Sequence, residues 1–181
     1  MGDILDPKTQ MGSLISREQL KKVDGYVKQA VAEGAKVAAG GEPYTAAPCD
    51  KGSYYRPTVL ENVNNRMKCA QEEIFGPVLV VIKYRDLDEA IGMANDSPYA
   101  LGATFWSQDP KKLFYAAKKI DAGIVWLNTN VMSKIEAPYG GNKNSGLGRE
   151  DGTVGLKEYL KVKNNVLFIA KDYDNFYNFE D

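Results

Sequence analysis

Val78-Leu79-Val80-Val81-Ile82-Lys83-Tyr84 is apolar on both alternating faces for its first five residues. That is the pattern of a strand covered on both sides in a parallel sheet. Such a strand needs helices over it, and the sequence supplies them. Asp88 to Ala94 is short and amphipathic, and Pro110 to Ile120 opens with proline in its first turn and carries Leu113, Tyr115, Ala116 and Ala117. Ala103-Thr104-Phe105-Trp106 and Gly123-Ile124-Val125-Trp126-Leu127-Asn128 read as two further strands. The alternation predicts an α/β domain with a mainly parallel sheet flanked by helices, a three-layer α/β/α arrangement.

Upstream, Ser16-Arg17-Glu18-Gln19 reads as a capping box that opens a helix over residues 17–33, with Leu20, Val23, Val27, Ala30 and Val31 at helical spacing and Gly34 as the stop. A short strand around Val37 comes next. The Gly- and Pro-rich stretch 40–52, which contains Cys49, reads as a surface loop leading into Pro57-Thr58-Val59-Leu60. Downstream, 142–148 reads as a loop, 153–162 as a final helix and 165–170 as a last strand. The tail from Lys171 to Asp181 alternates aromatic and acidic residues without a period, as expected of a segment that is disordered or packs on a neighbour. No linker or repeat divides the chain.

Composition narrows the classes of function. Among 181 residues, 23 Lys and Arg face 24 Asp and Glu, giving a net charge of −1, which argues against electrostatically driven binding to nucleic acid or a membrane surface. With 44% hydrophobic and 26% charged residues the chain matches an ordinary globular domain. It has no histidine, so Ser-His and Cys-His nucleophile pairs and histidine metal motifs are excluded. Two cysteines outside any C-x-x-C pair make no disulfide framework. The N-terminus lacks the basic and apolar regions of an export signal, and no apolar run approaches the ~18 residues of a membrane span. A reducing, cytoplasmic setting is the expectation.

Two motifs remain ambiguous by pattern alone. The cluster Gly140-Gly141-Asn142-Lys143-Asn144-Ser145-Gly146-Leu147-Gly148-Arg149-Glu150 fits neither the dinucleotide fingerprint nor the P-loop, so a structural loop is favoured over a phosphate cradle. In Gln71-Glu72-Glu73-Ile74-Phe75-Gly76-Pro77, carboxylates one residue apart point in different directions, which argues against a proton-sharing pair and favours a solvated turn.

Read together, Gly2-Asp3-x-Leu5-Asp6-Pro7-x-Thr9-x-Met11-Gly12, Tyr55-x-Pro57-Thr58-Val59-Leu60, Glu72-Glu73-Ile74-Phe75-Gly76-Pro77-Val78, Ala94-Asn95, Gly123-x-Val125-x-Leu127-Asn128 and Ala137-Pro138-Tyr139-Gly140-Gly141-x-Lys143-x-Ser145-Gly146-x-Gly148-Arg149-Glu150 resemble the aldehyde dehydrogenase family in the family's own order. The resemblance runs from residue 1 to about 170. It implies an NAD(P)-dependent oxidation in which a cysteine thiolate adds to an aldehyde, hydride passes to the nicotinamide, and water releases the acid. What it matches is the C-terminal part of the catalytic domain, residues 1–163, followed by an oligomerisation strand and tail, 164–181. In the family the nucleophilic cysteine, the general base, the oxyanion asparagine and the dinucleotide-binding domain all precede this stretch. Cys69 stands where the family has no catalytic group, so no catalytic residue is expected in this chain. Activity, and binding of NAD or NADP, are not expected of the chain alone.

Residue by residue, Glu73 resembles the glutamate that holds the nicotinamide ribose hydroxyls, and Phe75 the phenylalanine beside the nicotinamide ring. The Thr129 to Ala137 loop is similar to the one lining the aldehyde entrance. Its Asn128-Thr129-x-x-x-Ser133-x-x-x-Ala137-Pro138 pattern is most similar to succinate-semialdehyde dehydrogenases, which implies that Ser133 helps bind a substrate carboxylate. Betaine- or other aliphatic-aldehyde dehydrogenases are the alternative within the family, and a non-catalytic assembly module the alternative outside it. The implied partners are a small aldehyde and further copies of the chain.

Overall fold

The computed structural model describes residues 1–130, 134–167 and 169. Helix α1 (Arg17–Ala32) is capped by Ser16, whose Oγ accepts the Gln19 backbone N–H at 3.1 Å, and it buries Val23, Val27 and Ala30. Gly34, at φ +106°, reverses the chain behind it. Strand β1 (Lys36–Ala39) then pairs antiparallel with β2 (Thr58–Glu61), and β2 pairs parallel with β3 (Val78–Val80), Thr58 opposite Val78 and Leu60 opposite Val80. Between β2 and β3 lies the one-turn helix α2 (Lys68–Gln71).

The main core fills the space between α1 and this sheet: Val23, Val27, Ala30, Ala35, Tyr55, Leu60, Val63, Met67, Cys69 and Ile74 form one buried cluster. Each large apolar side chain there contributes about 1.5–3 kcal/mol by leaving water. Through Ile74 the turn that precedes β3 is anchored into the same core.

The second half repeats the alternation. Helix α3 (Leu87–Asn95), capped by Asp86, leads to β4 (Tyr99–Ala100) and β5 (Gly102–Phe105), and α4 (Pro110–Lys119), capped by Asp109, leads to β6 (Ile124–Leu127). Strands β5 and β6 are parallel, Gly102 opposite Ile124 and Phe105 opposite Leu127. A short β7 (Asn142–Lys143) pairs antiparallel with β4, and the helix α5 (Gly152–Glu158) comes after it. The protein is therefore a mixed α/β fold, with parallel pairs β2/β3 and β5/β6 and antiparallel pairs β1/β2 and β4/β7.

Several expectations need correction. The pattern of residues 78–84 predicts cover on both sides, but the strand spans only Val78–Val80, and Leu79 is 61% and Val81 41% exposed. One face packs toward the core while the other has no cover among the described residues. The stretch around Cys49 is a surface loop as expected, residues 45–48 and 50–52 being exposed, but Cys49 itself is 1% exposed, in turns where the Cys49 N–H donates to the Ala46 carbonyl and the Gly52 N–H to the Cys49 carbonyl. The last helix ends at Glu158 instead of 162, because Tyr159, Leu160 and Val162 are exposed and helix ends persist chiefly through tertiary packing. Of the expected strand 165–170, the described residues 165–167 and 169 are exposed and carry no ladder.

Candidate functional site

The turn Glu72–Pro77 is held from four directions. Ile74 is buried in the core. The Gly76 backbone lies against Val23, close enough that a Cβ there would meet the valine methyl at 2.5 Å. The Thr58 N–H donates to the Pro77 carbonyl at 2.8 Å, tying the exit of the turn to β2. The Gln19 side-chain amide donates to the carbonyls of Ile74 (3.0 Å) and Phe75 (2.9 Å).

With its backbone pinned, the turn displays two side chains. Phe75 sits at φ +56° and is 70% exposed. Glu73 is exposed and has no protein partner among the described residues. Its neighbour is engaged elsewhere: the Tyr26 hydroxyl donates to Glu72 Oε2 at 2.6 Å and Lys68 Nζ lies 3.7 Å from the same oxygen. The hydrogen bond to Glu72, then partial burial and the glutamate's charge, push the Tyr26 phenol up. The adjacent carboxylates thus diverge as their spacing requires, and Glu73 is left exposed to solvent. A free carboxylate accepts two hydroxyl donors, as a ribose diol presents, and an exposed ring beside it offers an apolar wall to a planar heterocycle.

Cys69 stands apart from this chemistry. It is buried in the core, and burial, followed by the charge of Glu33, pushes its thiol up. A thiol so placed is a poor nucleophile at neutral pH.

Ser133 lies outside the described residues, but the flanks of its loop are fixed. Asn128, at φ +54° just past β6, clasps Ser107: its Nδ2 donates to the Ser107 carbonyl at 2.9 Å while its Oδ1 accepts the Ser107 N–H at 2.8 Å. On the far side, the Gly152 N–H donates to the Ile135 carbonyl at 2.8 Å and the Ala137 N–H to the Lys134 carbonyl at 2.9 Å. The loop therefore springs from the C-terminal end of a parallel strand, the end at which α/β folds bind ligands.

The glycine cluster is filled by the protein itself. Arg149 Nη1 donates to the carbonyls of Gly141 (2.8 Å) and Gly148 (2.9 Å), and Nη2 to Asn142 Oδ1. Carbonyls closing on a guanidinium are the reverse of the N–H cradle that a phosphate requires.

The model of the aldehyde dehydrogenase family matches residues 1–165. The chain belongs to the aldehyde dehydrogenase family. A betaine aldehyde dehydrogenase from Brucella melitensis is 42% identical over 163 residues, 90% of this chain and 34% of that protein. Among solved structures of the family, apo betaine aldehyde dehydrogenase from Staphylococcus aureus (a G234S mutant) superposes with TM-score 0.87 at 41% identity, over 90% of this chain and 32% of that one. An NAD+ complex of an aldehyde dehydrogenase from Bacillus cereus superposes with TM-score 0.81 at 43% identity, over 86% of this chain and 31% of that one. The chain thus spans about a third of the length of the aldehyde dehydrogenases it matches. These relatives are betaine and general aldehyde dehydrogenases, so the similarity does not single out the succinate-semialdehyde type. As for membranes, no helix among the described residues is long and apolar enough to cross one.

Two participants escaped the sequence reading. Gln19 was legible only as the end of a capping box, since nothing local connects it with residues 55 and 56 positions further on. Tyr26 read as one more position of α1, whereas it holds Glu72 away from Glu73.

Proposed function

We propose that residues 1–163 form the C-terminal part of the catalytic domain of an NAD(P)-dependent aldehyde dehydrogenase, with 164–181 serving its assembly. The observation that carries this reading is the turn itself, which presents Glu73 without a protein partner among the described residues beside an outward-facing Phe75. NAD or NADP, when bound, accepts the hydride lost by the aldehyde. In this role Glu73 would accept the two hydroxyls of the nicotinamide ribose, and Phe75 would limit the swing of the ring so that one orientation faces the substrate. The described residues offer no activated nucleophile, since both cysteines are buried and Cys69 is held in its thiol form. In this reading the chemistry of thiohemiacetal formation and thioester hydrolysis would fall to groups outside this chain.

On substrate, betaine aldehyde is the leading reading, because relatives bearing that name share 41–42% of their residues with this chain. Succinate semialdehyde is the second, favoured by the Asn128 to Pro138 loop pattern with its hydroxyl at Ser133. The assembly reading rests on Val166, Leu167 and Ile169, which are apolar and exposed and are placed to pair with a second copy.

The test has two arms. The purified 181-residue chain should form no NAD(P)H from any aldehyde; production abolished by Cys69→Ser would overturn the reading. In a catalytically complete protein containing the segment, Ser133→Ala should leave the KM for betaine aldehyde unchanged. A selective rise in KM for succinate semialdehyde, on the order of tenfold or more for a lost bond to a carboxylate, would instead establish the second reading.

A further inference from the structure

We infer that Gln19 is a positioning residue for the coenzyme, acting through the backbone of Ile74 and Phe75; the inference rests on the proposed roles of Glu73 and Phe75. Five non-glycine residues adopt positive φ among those described: Asn62, Phe75, Asn128, Lys143 and Asp151. Three are Asn or Asp, the types that enter this region most readily. Lys143 is compensated by its own side chain, whose Nζ donates to the carbonyls of Asn95 (2.7 Å) and Ser97 (3.1 Å). Phe75 has no such compensation, because its side chain has no polar atom and projects into solvent. An aromatic residue held left-handed with its ring in water gains nothing for the fold, which is the signature of strain kept for function.

What holds the two carbonyls beside it is Gln19. The capping box at Ser16 would have the Gln19 side chain turn back to the Ser16 N–H. Only half of the box forms: Ser16 Oγ accepts the Gln19 N–H at 3.1 Å, while the side-chain amide spans to the two consecutive carbonyls at 3.0 and 2.9 Å. Both carbonyls flank the strained residue, so the one amide group fixes the peptide orientation on either side of Phe75. Glu73 lies one residue before the pair. Since α1 is bound into the core by Val23 and Val27, Gln19 transmits the rigidity of that helix to the coenzyme-facing turn.

The experiment compares Gln19→Ala and Gln19→Glu with the unaltered sequence. In the 181-residue chain, backbone 13C shifts and 15N order parameters report Phe75 directly. The order parameter there is expected to fall from about 0.85 to below about 0.6 in both variants at neutral pH, with Val23 and Val27 unchanged. As pH falls through the ordinary glutamate range near ~4.3, Gln19→Glu regains a proton to donate and Phe75 should return toward its original shifts. Gln19→Ala should not. A Phe75 that stays left-handed and ordered in both variants overturns the inference, as does loosening spread equally over Val23 and Val27, which would make Gln19 merely structural. In a catalytically complete protein, Gln19→Ala should lower kcat/KM for coenzyme about tenfold while sparing the aldehyde KM. If Phe75→Ala disturbs coenzyme kinetics and Gln19→Ala does not, this inference falls alone. If neither does, the assignment of Phe75 falls with it.

Discussion

Replacing Glu73 by Gln separates a residue that serves the fold from one that serves a ligand; the structure sets the first magnitude and hydrogen-bond chemistry the second. Glu73 is exposed and has no partner among the described residues. Removing its charge should therefore change stability by no more than about 0.5 kcal/mol, as at ordinary surface positions. For a chain of this size that is a shift in Tm of about 2 °C or less. Coenzyme binding is another matter. A hydrogen bond to an ionised acceptor is worth about 1.5–3 kcal/mol, and the amide keeps only a neutral acceptor oxygen for the hydroxyls, so the affinity should fall by about ten- to a hundredfold. Thermal unfolding of the 181-residue chain measures the first quantity. Steady-state and single-turnover kinetics of a catalytically complete protein measure the second, with coenzyme and aldehyde varied separately. The expected signature is a near-constant Tm, a raised coenzyme KM with slowed hydride transfer, and an aldehyde KM that holds. A clear loss of Tm with coenzyme parameters unchanged would mean that Glu73 supports the turn instead of meeting a ligand, and the argument from its exposure would be refuted.

Gly123→Ala should destabilise the fold by more than about 4 kcal/mol in urea unfolding, because the new Cβ would collide with the Gly140 carbonyl and lie 3.1 Å from Gly141 Cα, backbone that cannot step aside. Gly92→Ala is its control: nothing stands within 4 Å of that position in α3, and a gain of about 0.5–1 kcal/mol is expected from helix propensity. Burial, and secondarily Asp24, push the Tyr55 phenol above its ordinary value of 10; the stability it contributes is complete below that value and is lost as pH rises from there toward the folded-state value, so Tyr55→Phe should flatten the alkaline limb of the stability curve. Light scattering over a concentration series should show a dimer or larger species that Leu167→Lys reduces to monomer, and a strict monomer at every concentration would count against assembly through 166–169.

Local signals were legible where the interaction is local. Ser16, Asp86 and Asp109 each accept a backbone N–H within three residues, and α1, α3 and α4 begin within a residue or so of where the Ser16 capping box, the amphipathic period and Pro110 put them. Long-range pairing was less accessible. The β4/β7 ladder joins Tyr99 to Lys143 across 44 positions with two residues on each side, too short to leave any periodicity. The same limit hid half of the site. The motif around Glu73 and Phe75 could be matched to a family, but the clamp that shapes it comes from a glutamine whose local pattern already had a sufficient explanation as a cap. A side chain offered a backbone N–H nearby and two carbonyls far along the chain is decided by tertiary structure, and sequence spacing shows only the nearer partner.

The apolar run 78–82 shows the complementary limit. Alternation on both faces correctly marks these residues as suited to burial, yet Leu79 is 61% exposed, and the apolar residues at 166, 167 and 169 are likewise bare. Periodicity records that a side chain is suited to leave water; it does not record which polypeptide supplies the cover. Where the two faces of one strand differ this much, the inner face reports the packing of α1, Leu60 and Ile74, and the outer face marks a surface on which contact with another segment or subunit would remove apolar area from water at about 25 cal/mol per Å². The Glu72–Pro77 turn enters β3 at the junction of these two faces. Its inner side is fixed by Ile74 and Gln19, while Phe75 is exposed and Glu73 has no partner among the described residues. Residues that are rigid in backbone and unpartnered in side chain are placed to act on something brought to them, and that is the physical argument behind the proposal that this turn binds coenzyme.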